Sequence, residues 1–323
     1  MTDHNTGYVS RLNADNGNVH IEVIDVISAQ RAMFEAESAD VRRRIGIEQV
    51  AERLRPWWEP MKNNPWAPKG PESADALDDA LMLNIAPPGM DRAEALAGLD
   101  RFAQAGSLDA CTDALVRTID LLQPSRHSIT PPSIRYTLAL ANPSLRTERD
   151  NNAAYVGFAG QPGAIIMIAL PSDFNLPRLP AMAAHEAHHN VRMSFEPWVP
   201  ETITVGQYLV IEGTAEAFSA ELYGEDALGP WTTMHTEDDL RAHRSRFHEV
   251  IDQTGDPRPY MFGDWAAQEF HYEAKGLPKY IGYGMGYRIV RSYLEATGLS
   301  AVEATRKPWR EIVAGASWLH QNG

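Results

Sequence analysis

One cysteine, Cys111, stands in a chain of 323 residues. That excludes an intrachain disulfide and any thiolate-rich zinc cluster. Long apolar runs are missing as well. The longest, from Ala164 to Leu170, is far short of the roughly 20 residues that a membrane-spanning helix needs. Basic residues are scarce: 29 Lys and Arg stand against 43 Asp and Glu, a net charge of −14. This argues against a nucleic-acid partner and against anchoring on anionic lipid, although local basic patches exist, for example around Arg241 to Arg246. The N-terminal residues Met1 to Tyr8 lack the basic start and apolar core of a secretory signal, so a cytoplasmic location is expected. No repeat or low-complexity tract is present. What remains is an ordinary globular composition, 44% hydrophobic and 22% charged, with enough chain for one large domain or two.

The chemistry begins at His185-Glu186-Ala187-His188-His189. His185 and His189 are four apart, so on a helix they share one face and can bind a single metal ion. Glu186 lies beside them, placed to take a proton from a water on that metal. This is the H-E-x-x-H pattern of zinc hydrolases. Helical propensity supports it, because Ala181, Ala183, Ala184 and Ala187 surround the motif and Pro177 and Pro180 lie at its start. His188 points off the ligand face. It has either a supporting or substrate-side role, or none.

A second helix is expected from Tyr208 to Tyr223, capped by Gly224. Leu209, Glu212, Glu216 and Ser219 share one of its faces. A carboxylate on a mostly apolar face is costly unless paired or metal-bound. The spacing therefore suggests Glu212 as third metal ligand and Glu216 as acceptor for the far N–H of a ligand histidine; the alternative is that both face solvent. A fourth coordination position left to water marks a catalytic site. Gly213 leaves room for a neighbouring helix or for substrate.

A third block, Tyr280 to Leu294, alternates Gly282, Gly284 and Gly286 with larger residues before an amphipathic helix from Arg288 to Gly298. Glycines there let backbone approach a ligand or another element closely. A hydrolase needs a donor for the oxyanion of its tetrahedral intermediate. Tyr283 is the first candidate and Tyr287 the second, with Arg288 and His271 behind. Packing of both tyrosines in the core is the competing reading.

These three blocks resemble known proteins. A His-Glu-x-x-His helix completed by a Glu on the next helix resembles the gluzincin metallopeptidases. More closely, the segments Ala184–Arg192, Val210–Phe218 and Tyr280–Leu294 look like the DUF2268 family of zinc-dependent proteases, over roughly residues 130–300. The resemblance implies one Zn2+ per chain on His185, His189 and Glu212, with Glu216 behind them and Glu186 as general base. The gap to Glu212 is longer than in aminopeptidase-like gluzincins, and no motif for a free amino terminus is visible, which speaks against an exopeptidase.

The expected fold is α+β and mainly helical. Residues 1–127 form a helical N-terminal region, and residues 128–323 a gluzincin-like catalytic domain with a small mixed sheet beside the motif helix. A loose arm or strand lead-in occupies 1–18, and 19–26 is a strand or enters the first helix, which spans 28–55. The segment Pro56 to Pro71 holds five prolines and three tryptophans, a helix-breaking ordered loop that covers core or lines a cleft. Asp91 with Glu94 forms a capping box for a helix to about 105, and Ser107 caps the next, to about 122. Cys111 falls within that helix as a small buried hydrophobe. Strands are expected at 133–140, 155–160 and 164–169, the last two joined by Gln161-Pro162-Gly163. Tyr155 to Gly160 would be an edge that pairs with an extended peptide. A charged helix follows at 237–251, then a loop from Gly255 to Tyr260. That loop and Phe262-Gly263-Asp264-Trp265 are expected to border the cleft. Together these features predict a zinc-dependent endopeptidase. The alternatives are a metal-dependent enzyme acting on a small-molecule amide, ester or other metabolite, and a non-catalytic metal-stabilised binding protein. Nothing in the sequence sets the oligomeric state.

Overall fold

The computed structural model describes residues 8–9, 19–62, 74–122, 133–143 and 153–321. The rest of the expected N-terminal arm and of the aromatic segment beyond residue 62 lies outside the described residues. The fold is α+β and mainly helical, with a single small mixed sheet. By its contacts the chain divides into two compact units, 1–117 with 124–183, and 118–123 with 184–323. That division does not follow the expected 127/128 boundary, because strand His20–Ile24 of the N-terminal region pairs in parallel with Ser133–Leu140.

The first unit is built on the sheet. Its strands are β1 (Tyr8–Val9), β2 (His20–Ile24), β3 (Ser133–Leu140), β4 (Tyr155–Gln161) and β5 (Ala164–Ala169), in the order β1-β2-β3-β5-β4. The β2–β3 and β3–β5 pairs are parallel, and β1 and β4 pair antiparallel at the two ends. All six residues of β5 are buried, as a continuous apolar run in a central strand should be. β4 alternates in exposure and lies at an edge, and the Pro162–Gly163 turn joins it to β5, with Gly163 supplying φ 73°. The expected edge strand is thus found.

Helices connect β2 to β3, as a parallel pair requires. They are α1 (Val26–Glu35), α2 (Ala39–Ile45), a π-helical turn (Gly46–Ala51), α3 (Glu52–Met61), α4 (Ala76–Leu81), α5 (Arg92–Gln104) and α6 (Ser107–Leu122). The expected helix over 28–55 is in fact two. It breaks after Glu35, and the second part runs past Pro56 to Met61. An interior proline costs about 3 kcal/mol, whereas burial of one large side chain returns about 1.5–3 kcal/mol. Trp57 and Trp58 are both buried there, and the Trp58 indole donates to the Ala51 carbonyl at 2.8 Å. Pro56 and Pro60 both lie inside this helix, and the two buried indoles, together worth about 3–6 kcal/mol, offset much of what the prolines cost and place these tryptophans in core. Asp91 caps α5 by accepting from the Glu94 N–H, one half of the expected capping box. Ser107 does not cap α6: its buried hydroxyl has no partner among the described residues. Cys111 is fully buried, and burial pushes its thiol up to about 12.

Buried Asn175 closes this unit just before the motif helix. Its side chain accepts from the Ser172 N–H and donates to the carbonyls of Ala153 and Leu170, each at 2.7–2.8 Å. A 3-10 turn, Leu176–Arg178, then leads into α7 (Leu179–Phe195).

The second unit is helical. After α7 come α8 (Val205–Tyr223), α9 (Pro230–Thr233), α10 (Glu237–Val250), α11 (Arg258–Phe262), α12 (Ile281–Thr297), α13 (Ala301–Ala304), α14 (Trp309–Gly315) and α15 (Ser317–His320). Every residue of α8 from Val205 to Ser219 is buried except Gln207, so this helix forms the centre of the unit. Gly224 ends it with φ 85°, its N–H donating to the Ala220 carbonyl. The glycine block does not precede a helix as expected; it forms the first turns of α12. The reason is packing. A Cβ at Gly213 would overlap the Gly286 carbonyl and one at Gly286 the Leu209 carbonyl, so α8 and α12 touch backbone to backbone. The expected loop at 255–260 likewise turns helical from Arg258 onward. Among the described residues no helix is long and apolar enough to cross a membrane.

Candidate metal centre

α7 and α8 bring His185, His189 and Glu212 together. The three offer ligand atoms within 4.8 Å of one another, and all three are buried. Glu212 Oε2 lies 3.3 Å from His185 Nε2 and 3.4 Å from His189 Nε2. In a tetrahedral zinc site, bonds of about 2.0–2.1 Å place ligand atoms roughly 3.3–3.4 Å apart. The observed edges therefore match a site that one ion would fill. The two imidazoles sit edge-on to each other, ring centres 4.5 Å apart.

Behind the cluster, Glu216 Oε1 faces His185 Nδ1 at 3.5 Å and accepts from Trp231 Nε1 at 2.8 Å. This leaves Nε2 of His185 as the nitrogen aimed at Glu212, the arrangement that a carboxylate behind a ligand histidine produces. His189 has no such support: its buried Nδ1 has no partner among the described residues.

Charge makes the same case for a cation. Glu186, Glu212 and Glu216 are all buried beside two histidines, and uncompensated buried carboxylates are costly. Burial alone would lower the His185 pKa, but Glu216 and then Glu212 and Glu186 outweigh it and hold it at about 9. Burial would raise Glu212, yet His189 and His185 pull it down to about 2. Without metal, a proton on the His185 imidazole thus supplies the positive charge that a divalent ion would supply instead. Burial raises the pKa of Glu186, with His185 and His189 pulling the other way. Among the described residues no hydrogen bond engages its carboxylate.

The remaining candidates divide. Tyr283 lies on α12 one turn before Gly286, the residue that touches α8. Its phenol is pushed well above the usual range by burial and then by the Glu212 carboxylate, with Tyr208 and Glu186 also contributing. It therefore stays protonated, a donor close to the cluster. Tyr287 is turned elsewhere, its hydroxyl bonding Glu225 at 3.3 Å and Arg291 at 3.0 Å. Arg288 pairs with Glu237, and His271 sits exposed in a turn at φ 54°. His188 points away from the ligands: its Nε2 bonds Thr305 Oγ1 at 3.0 Å, and burial lowers its pKa well below the usual value. With Arg192, which donates to the carbonyls of Thr305 and Lys307, it fastens the far face of α7.

Two contributors escaped the sequence reading. Tyr208, buried and one helical turn before Glu212, is pushed well above its usual pKa by burial and then by Glu212. Its ring packs edge-on against Trp198, 4.3 Å between centres. The four-residue spacing to Glu212 was a usable signal. Trp231 left none, since only the fold brings it to Glu216.

A buried pair of histidines and a glutamate on adjacent helices, with a second carboxylate beside the first histidine, is a site able to hold a divalent metal. The comparisons agree. The chain belongs to the DUF2268 family, described as a predicted Zn-dependent protease, whose profile matches residues 111–314. It is 33% identical over 256 residues to Uncharacterized protein YjfC of Bacillus subtilis (strain 168), covering 77% of this chain and 83% of that one. It is also 28% identical over 148 residues to Uncharacterized protein YjaZ of the same organism, 44% of this chain and 52% of that protein. No solved structure matches it.

Proposed function

We propose that the chain is a gluzincin-like zinc endopeptidase, with His185, His189 and Glu212 holding one zinc ion. The observation that carries the reading is the convergence of these three ligand atoms within 4.8 Å, Glu212 Oε2 lying 3.3 and 3.4 Å from the two imidazole nitrogens, with Glu186 next in sequence to His185. Bound zinc supplies a Lewis acid that polarises a scissile carbonyl and makes water acidic enough to deprotonate near neutral pH.

The chain's own residues do the rest. Glu186 takes the proton from the attacking water and returns it to the departing amine; its raised pKa suits both steps. Tyr283 donates a hydrogen bond from its hydroxyl, keeping its proton, to the oxyanion as the carbonyl becomes tetrahedral. Tyr208 is a second phenol beside the same carboxylates. Glu216 holds His185 in the tautomer that presents Nε2, and Trp231 in turn holds Glu216.

The test is hydrolysis of a mixed peptide library by zinc-loaded wild type and Glu186→Gln. The proposal expects internal cleavage by wild type and a loss of about a hundredfold or more in the variant, with zinc content unchanged. Full activity in Glu186→Gln would refute it. Cleavage of small amides or esters but of no peptide would move the same machinery to a metabolite substrate.

A further inference from the structure

Five half-exposed aromatic rings form a continuous series with Tyr283 at its centre. Phe270 stacks on Phe262 with 5.6 Å between centres, and Phe262 stacks on Tyr283 at 6.3 Å. Tyr283 meets Tyr280 edge-on at 5.8 Å, and Tyr280 meets Trp265 at 5.1 Å. None of the five is fully buried, so this is not a core cluster. Tyr283 lies on α12 one turn before Gly286, which packs against Leu209 and Gly213 on either side of Glu212 in α8, so the aromatic surface adjoins the metal centre.

Its backbone is held in place. Asp264 accepts three backbone N–H bonds, from Lys275, Gly276 and Leu277, which clamps the turn carrying Trp265 to the segment leading to Tyr280. Gly263 sits at φ 73°, close against the Pro278 carbonyl. Tyr280 is the informative residue. It adopts φ 55° and ψ 19°, a left-handed conformation that favours glycine, and its side chain makes no capping bond. A tyrosine kept where glycine fits better points to a use for the ring. Two further features describe the occupant. The Trp265 indole N–H is buried without a partner among the described residues. Lys279 holds its ammonium 4.3 Å from the Trp265 ring centre and 5.4 Å from that of Tyr280, so the cation position over this wall is already taken.

We propose that this aromatic wall is the specificity surface of the enzyme. It takes a large neutral side chain, aromatic or branched aliphatic, beside the scissile bond, and Lys279 turns lysine and arginine away. The inference rests on the peptidase reading above. Neither the metal ligands nor Glu186 belong to the wall, so it can be altered without touching them.

The experiment measures binding of short peptide hydroxamates to the zinc-loaded protein by calorimetry, with a benzyl, isobutyl, methyl or aminobutyl side chain next to the hydroxamate. The benzyl and isobutyl compounds should bind about ten- to a hundredfold more tightly than the methyl compound, and the aminobutyl compound no better than methyl. Trp265→Ala should remove about tenfold or more of that preference. Tyr280→Gly should do the same, and because it relieves the left-handed backbone it serves as the control for folding. Lys279→Glu should raise affinity for the aminobutyl compound several-fold. Equal affinity for all four side chains, or a preference unchanged in Trp265→Ala and Tyr280→Gly, overturns the inference and leaves the metal site standing. Failure of every hydroxamate to bind overturns the metal reading and the inference with it.

Discussion

Removing Glu216 tests whether the charge behind the ligands shapes the metal site. Its Oε1 faces His185 Nδ1 at 3.5 Å and accepts from Trp231 at 2.8 Å, so it is the one acceptor that fixes the His185 tautomer. Partners of this kind are typically worth 10- to 100-fold in metal affinity, about 1.4–2.8 kcal/mol. A second effect runs the other way. Glu216 is the largest of the charges that raise His185, so in Glu216→Ala the metal competes with a weaker proton. Near pH 7 this offsets part of the loss. Above pH 9, where His185 is already deprotonated in the metal-free protein, the whole loss should show. Glu216→Gln keeps an oxygen for both donors and should fall between Ala and wild type. The assay is competitive zinc titration against a chromophoric chelator at pH 7 and at pH 9.5. Affinity of Glu216→Ala within twofold of wild type at both pH values would refute the argument.

Further predictions concern the oxyanion donor, the helix contact and pH. Tyr283→Phe should cut kcat about 10²–10³-fold with zinc retained, whereas Tyr287→Phe, its hydroxyl committed to Glu225 and Arg291, should leave kcat within a few-fold; steady-state kinetics on one cleaved peptide separates them. Gly213→Ala would set a Cβ against the Gly286 carbonyl and 2.9 Å from Val290 Cγ2. It should destabilise by about 1–3 kcal/mol in urea melts despite the better helix propensity of alanine; a more stable variant would contradict the close helix contact. In the metal-free protein, the raised His185 pKa gives stability that is full below its unfolded value near 6.5 and is lost as pH rises through about 9. The lowered Glu212 pKa gives stability that is present above its unfolded value, about 4.3, and is lost as pH falls through about 2. Chelator-treated protein should therefore melt highest between these limits, and added zinc should flatten the alkaline side.

The parts of the site that read directly from the sequence are those in which local geometry dictates spacing. His185 and His189 must be four apart to share a helix face, and Glu212 with Glu216 repeats that interval one helix later. The β4–β5 turn and the Gly224 cap were legible for a similar reason, since each needs a particular backbone conformation within a few residues. Elements whose outcome depends on distant packing were not. Pro56 looks like a helix breaker until Trp57 and Trp58 are seen in the core. The glycines of α12 look like a ligand loop until α8 is seen against them. Ser107 has the right identity for a cap but sits inside the first turn of its helix, its hydroxyl unpaired. Tyr283 and Tyr287, four apart on one helix, were ranked first and second by sequence, and it is their partners in the fold that separate them.

The central claim is that His185, His189 and Glu212 share one metal ion. Elemental analysis of wild type and Glu212→Ala, purified in parallel and dialysed against a weak chelator, tests it most directly. The account predicts one zinc per chain in wild type and essentially none in the variant. Wild type without metal, or Glu212→Ala holding as much zinc as wild type, would contradict it.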